Sequence, residues 1–212
     1  MSDFQYSTAE ICALDAAYAK KRSKESLMLG AGRAVAAIAS KVVKKKRGAT
    51  ILVLVGPGNN GGDAWVAAAA LSKAGQVVTV LEPHEQKIAD PAAQAARSAY
   101  RKANGVVVTK FPEDEKFDLI IDGLFGTGLR RVPEGTYADV IMRANALADR
   151  QRIPILAIDV PSGLSADTGI AFDATIQSDF TITFLGAKPG LYTADGVDAA
   201  GEIHIDNLGV VG

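Results

Sequence analysis

ILVLVGPGNNGGD, Ile51 to Asp63, is the stretch that decides the fold. Its first five residues form a continuous apolar run of strand length, suited to a strand buried on both faces, which is the mark of a parallel sheet covered by helices. The glycine-rich half, Gly56 to Asp63, turns the chain from strand to helix. Glycines there let a ligand approach the backbone N–H groups at a helix N-terminus.

Outward from this segment the pattern repeats. Toward the N-terminus, residues 1–48 read as helix, opening with Ser7 and Glu10 at capping-box spacing and continuing in a second helix from about Glu25 to Lys46. Toward the C-terminus, helices at about Gly62 to Ala74, Asp90 to Ala103 and Tyr137 to Arg150 are interleaved with apolar runs. Those runs are Val77 to Leu81, Val106 to Val108, Leu119 to Ile121 and Ile155 to Val160, with Phe180 to Phe184 and Glu202 to Ile205 following. Strands separated by helices imply βαβ units, so residues 49–212 are expected to form a Rossmann-like, doubly wound, mainly parallel α/β sheet with helices on both faces. With no repeat or linker, residues 1–212 read as one domain.

Composition narrows the function classes. Twenty-three Lys plus Arg against 24 Asp plus Glu give a net charge of −1, so nothing global draws the chain to nucleic acid or anionic lipid. The basic run Lys41, Lys44, Lys45, Lys46 and Arg47 reads as a solvated helix end. A single cysteine, Cys12, excludes an internal disulfide and a cysteine-based zinc site. No apolar run spans a bilayer and the first residues lack a signal-peptide pattern, so the expected location is the cytoplasm.

In open parallel sheets, ligands bind beyond the carboxyl ends of the strands, where the strand order reverses. Three glycine-bearing segments are therefore expected on one rim: Gly56 to Asp63, Asp122 to Gly128, and Asp159 to Gly163. Gly56, Gly58 and Gly61 match GxGxxG, with Glu82 placed near a ribose-binding carboxylate, yet a dinucleotide turn leaves Asn59, Asn60 and Asp63 unexplained. A tight turn with Asp63 serving the helix dipole is the plain alternative. Gly123, Gly126 and Gly128 followed by Arg130 and Arg131 offer a seat for phosphates, or a mobile loop with solvated arginines.

Asp159 emerges from an apolar strand. Lost solvation is expected to raise its pKa and suit it to acid/base work, unless it simply caps the next turn. Asn60, Asp122 and Ser162 supply amide, carboxylate and hydroxyl oxygens from neighbouring strand ends, too little charge for a divalent ion but suitable for potassium. Such an ion would keep Asp122 charged, while Asp159, if further from it, could be protonated. His84 and His204 read as surface residues, and no Ser/His pair or Cys nucleophile supports acyl transfer.

Taken together, GPGNNGGD, DGLFGTGLRR and IDVPSGLSADTG, in this order, resemble the NAD(P)H-hydrate epimerase family, the YjeF N-terminal domain. The likeness extends to LDAAYAKK, LMLGAGRAVA and ITFLGAKPGLYTADGVDAAGEIHIDNLGV. The resemblance implies exchange of the R and S forms of NADHX and NADPHX, nicotinamide cofactors damaged by hydration, with a bound potassium ion. It implies substrate contacts at Asn59, Asn60, Gly61, Gly62, Asp63, Gly126, Thr127, Gly128, Leu129, Arg130, Arg131, Val132 and Asp159. It places potassium on Asn60, Asp122 and Ser162. Asp159 would carry the proton; Lys188 would help orient substrate or be a surface lysine at a turn. A homodimer is implied, and a dehydratase acting in trans.

One departure stands out. The family often carries an acidic residue where this chain has Leu29, which could weaken the site. The competing functions are a nicotinamide-dependent dehydrogenase and a non-catalytic nucleotide- or RNA-binding scaffold on the same fold.

Overall fold

The computed structural model describes residues 6–19, 24–44, 46–84, 88 and 91–209. Two helices come first, α1 (Thr8–Ala19) and α2 (Lys24–Val42). The Ser7 amide donates to Glu10 Oε2 at 2.8 Å while the Glu10 amide donates to Ser7 Oγ at 3.3 Å. This is the reciprocal capping box expected from the sequence. α2 ends earlier than its periodicity predicts. Lys46 leaves the helix and pairs with Asp118 at 2.8 Å, Lys41, Lys44 and Arg47 are exposed, and Lys45 lies outside the described residues.

The core alternates as predicted: β1 (Thr50–Val55), α3 (Asn59–Lys73), β2 (Val77–Leu81), α4 (Pro91–Lys102), β3 (Val106–Val108), β4 (Leu119–Gly123), α5 (Thr136–Gln151), β5 (Ile155–Ile158), β6 (Phe180–Phe184), a short α6 (Gly196–Ala199) and β7 (Glu202–Asp206). All seven strands pair in parallel in the order β3-β2-β1-β4-β5-β6-β7. The direction of winding reverses between β1 and β4, which makes that junction the crevice of a doubly wound sheet.

Strand side chains alternate between faces. Ile51, Val53 and Val55 pack under α2, α3 and α4 with Val35, Trp65, Leu71 and Tyr100. Leu52 and Leu54 pack on the other face with Val140, Ile141 and Leu147 of α5. The two faces therefore fix β1 from both sides and set where the loop after it emerges.

At the rim, three boundaries differ from expectation, each for a local reason. α3 begins at Asn59 rather than Gly62, because the glycine loop is itself the first helical turn. A Cβ at Gly61 would run into the Gly56 carbonyl oxygen, so only glycine lets that turn close against the end of β1. β4 runs through Gly123, so Asp122 lies inside the sheet, in register with Leu54 and Ala157. β5 stops at Ile158 because Asp159 takes a left-handed backbone, φ 68°, and leaves the strand. At the far edge, β7 keeps only part of its predicted alternation: Ile205 is exposed, while His204 is half-buried, stacked on Phe180 at a ring separation of 6.4 Å.

Candidate active site

Because every strand runs the same way, the carboxyl ends share one rim, and a cavity of about 550 Å³ opens there. Residues 57–60 and Asp63 enter it after β1, residues 124–131 after β4, Asp159 after β5, and Phe184, Leu185 and Lys188 around the end of β6. Leu27, Met28 and Ala31 of α2 and Ile11 of α1 form an apolar wall. That wall is tied down at its start, where the Thr8 amide donates to Asp167 Oδ1 at 2.6 Å and the Tyr6 amide to the Ala187 carbonyl at 2.8 Å.

Asp159 is the most heavily held polar group in this cavity. Lys188 Nζ stands 2.8 Å from its Oδ1, the Thr183 hydroxyl donates to the same oxygen at 3.3 Å, and the Thr127 amide donates to Oδ2 at 3.1 Å. Burial alone would raise the Asp159 carboxyl, but the charge and hydrogen bond of Lys188, with those of Thr127, hold it below the usual carboxylate range. The expected protonated Asp159 is thus corrected: its partner comes from 29 residues further along the chain. Lys188 is corrected as well. Far from a surface lysine, it is 1% exposed and also donates to the Phe184 carbonyl at 2.7 Å.

Asn60 and Ser162 meet at one backbone unit, Phe125, and Asp122 joins them through Ser162. Asn60 Nδ2 donates to the Phe125 carbonyl at 2.8 Å, the Phe125 amide donates to Ser162 Oγ at 2.9 Å, and Ser162 Oγ donates to Asp122 Oδ1 at 2.7 Å. The Ser162 amide closes the group on Asp122 Oδ2 at 2.8 Å. Asp122 is fully buried and its donors among the described residues, from Ser162 and Leu124, are neutral, so burial pushes its carboxyl up to about 6. A buried carboxylate bonded only by neutral donors, amid amide, hydroxyl and carbonyl oxygens, fits a singly charged cation. Gly126 adds to this: a Cβ there would lie 2.8 Å from Asp159 Oδ2 and 3.2 Å from Asn60 Oδ1, so glycine keeps the space between those oxygens open.

The remaining predicted residues sort by position. Asn59, Asp63, Thr127, Gly128, Leu129, Arg130 and Arg131 line the cavity, with both arginines exposed at its mouth. Gly61 and Gly62 lie behind it, Gly62 packed on Met28 and Ala93, and Val132 is 42% exposed outside it. Leu29 points away: the cavity takes Leu27, Met28 and Ala31 from α2 and leaves Leu29 exposed. Glu82 is buried and bonded to Arg97 at 2.9 Å and Arg101 at 2.8 Å, so it is not free for a ribose. Thr183 and the Phe125 carbonyl went unread in the sequence. Thr183 carries a signal, a hydroxyl in an apolar strand beside β5, whereas a backbone carbonyl carries none.

A doubly wound parallel sheet with its ligand cavity at the strand-order reversal is the class this geometry defines. Within it, residues 24–190 match the family model described as YjeF-related protein N-terminus, and the chain belongs to that family. It is 43% identical over 165 residues to the "Bifunctional NAD(P)H-hydrate repair enzyme" of Leishmania major, covering 75% of this chain and 29% of that protein. It is 40% identical to the Escherichia coli "Bifunctional NAD(P)H-hydrate repair enzyme Nnr", covering 87% and 35% respectively. The chain thus spans about a third of the length of these bifunctional relatives. Against the "NAD(P)H-hydrate epimerase" of Achromobacter xylosoxidans it is 38% identical over 91% of this chain and 94% of that one. The crystal structure of yeast ynu0, YNL200c, shares the fold, with a TM-score of 0.77 at 21% identity over 89% of this chain and 83% of the yeast chain.

Proposed function

We propose that the protein interconverts the R and S forms of hydrated NADH and NADPH, with Asp159 moving the proton. The observation that carries this is the Asp159 carboxylate, fixed by Lys188 and Thr127 on the wall of a cavity that also receives Asn60, Asp63, Arg130 and Arg131. Epimerisation needs a proton-transfer group beside the hydrated carbon and a seat for phosphates, and this rim offers candidates for both. A full-length relative named for the epimerase activity supports the assignment.

Asn60, Asp122 and Ser162 would hold potassium. A bound potassium ion would keep Asp122 ionised within the sheet and hold the Phe125 turn against Asn60. The chain's own residues would do the rest: the arginines orient the phosphates, the apolar wall of α1 and α2 excludes water, and Asp159 handles the proton. In a cell, this function fits a cytoplasmic homodimer working beside a dehydratase activity. The joining of repair activities in single bifunctional relatives supports that pairing. No helix among the described residues is long and apolar enough to cross a membrane.

The decisive experiment mixes purified protein with one NADHX epimer and follows the other chromatographically, in potassium and in sodium, against the spontaneous rate. Conversion accelerated in potassium is expected. A rate equal to the spontaneous one in both salts would leave a nucleotide-binding scaffold as the function.

A further inference from the structure

The two non-glycine residues that end β5 and β6, Asp159 and Leu185, both take left-handed backbones, with φ 68° and 64°. Such conformations are strained for residues with a side chain and persist only where the surroundings enforce them. Here the Asp159 amide is tied to the Ile182 carbonyl at 2.7 Å and the Leu185 amide to the Asp206 carbonyl at 3.0 Å. The first turn aims the Asp159 side chain into the cavity, and the second begins the loop that returns Lys188 beneath it.

Each oxygen of the Asp159 carboxyl faces a group that can only donate, the ammonium of Lys188 on Oδ1 and the amide of Thr127 on Oδ2, and the Thr183 hydroxyl also donates to Oδ1. A hydrogen on either oxygen would be set against one of those donors, so these partners favour the carboxylate. Lys188 is equally constrained, because it is buried and its second bond is to the Phe184 carbonyl. The arrangement suits a group that starts by accepting a proton and is poorly made for one that starts by giving it.

That asymmetry separates the two chemical routes to epimer exchange. Hydration of an enamine adds a proton to the carbon remote from nitrogen and the hydroxyl to the carbon bonded to nitrogen. Departure of that hydroxyl as water requires an acid to protonate it first. Ring opening requires a base: the hydroxyl loses its proton, the carbon–nitrogen bond breaks with its electron pair going to nitrogen, and a carbonyl forms.

Taking the epimerase function as its basis, we propose that Asp159, positioned by Lys188, acts first as a carboxylate base, and that the epimers exchange through an opened ring that keeps its own oxygen. Asp159 takes the hydroxyl proton and delivers it to the ring nitrogen as the bond breaks. Rotation of the free carbonyl and the reverse steps close the ring on its other face. Nothing is oxidised or reduced, and Asp159 ends as it began.

The test is a single-turnover conversion of one epimer in water enriched in oxygen-18, quenched early and read by mass spectrometry against an enzyme-free control. Product carrying its original oxygen is expected. One labelled oxygen per turnover overturns ring opening while leaving the epimerase function intact; no conversion at all removes both. For Lys188, the Lys188→Met variant is expected to lose about 10²-fold in kcat with KM nearly unchanged, and Lys188→Arg to recover part of that loss. Equal losses in the two variants, or a loss confined to KM, would overturn the positioning role of Lys188.

Discussion

Lys188 reaches from the loop after β6 to Asp159 at the end of β5, 2.8 Å away, and with it those two strand ends are clamped where no α-helix joins them. This pair is nearly dry: the lysine is 1% exposed and the aspartate side chain 14%. Removing one member of a buried pair strands the other, which typically costs about 3–5 kcal/mol. Lys188→Met is therefore expected to destabilise the fold by that order at pH 7. A carboxyl whose folded-state pKa lies below its unfolded value of about 3.9 stabilises the fold above that pH, and the contribution is lost as pH falls through the folded-state pKa. The gap between parent and variant should accordingly be full at neutral pH and shrink in acid. Chemical denaturation at pH 7 and at pH 3 measures it; a gap that does not change between them would mean that the pair is not charged.

Gly126 tests the opening between Asp159 and Asn60. Gly126→Ala places a methyl group 2.8 Å from Asp159 Oδ2 and 3.2 Å from Asn60 Oδ1. Because Gly126 does not occupy a positive-φ conformation, stability should change by about 1 kcal/mol or less. Displacement of the reacting groups should lower kcat by about 10²-fold. Kinetics beside a melting curve decide this, and a fully active Gly126→Ala enzyme would show that the gap is not used.

Glu82 tests the competing dinucleotide geometry. Bonded to Arg97 and Arg101 behind the sheet rim, it is a structural ion cluster. Glu82→Gln should cost about 2–3 kcal/mol of stability, the scale of a buried charge-assisted bond, and leave substrate affinity unchanged. Weakened binding of reduced nucleotides, measured by calorimetry at a temperature where the variant is folded, would instead restore Glu82 as a ribose ligand.

How much of this was legible beforehand depends on range. Apolar runs located β2, β3 and β6 to the residue, because apolar and β-branched side chains fill the whole length of each. The rim followed from topology, and Asn60 and Ser162 both bond the Phe125 backbone, with Ser162 bonded in turn to Asp122. What failed was charge. Asp159 looked neutral because its strand is apolar, and Lys188 was left between a substrate-orienting role and a surface position because it flanks a turn; each residue's state is set by the other, across a loop and a strand that no local pattern links. Asp122 failed the opposite way, since a carboxylate read as lying past a strand lies within it. Glu82 was misplaced for the same reason as Lys188, its partners lying on the following helix.

The attachment of α1 has a further consequence, in time rather than space. Thr8 is bonded to Asp167, 159 residues later, and Tyr6 to Ala187, so α1 is made well before the residues that anchor it and is among the last elements to find its place. Contacts so distant in sequence form late, after the sheet they rest on. Ile11, and with it one wall of the cavity, is therefore installed on a rim that already exists. The pocket is finished from the beginning of the chain only once the loop that carries Lys188 has been made.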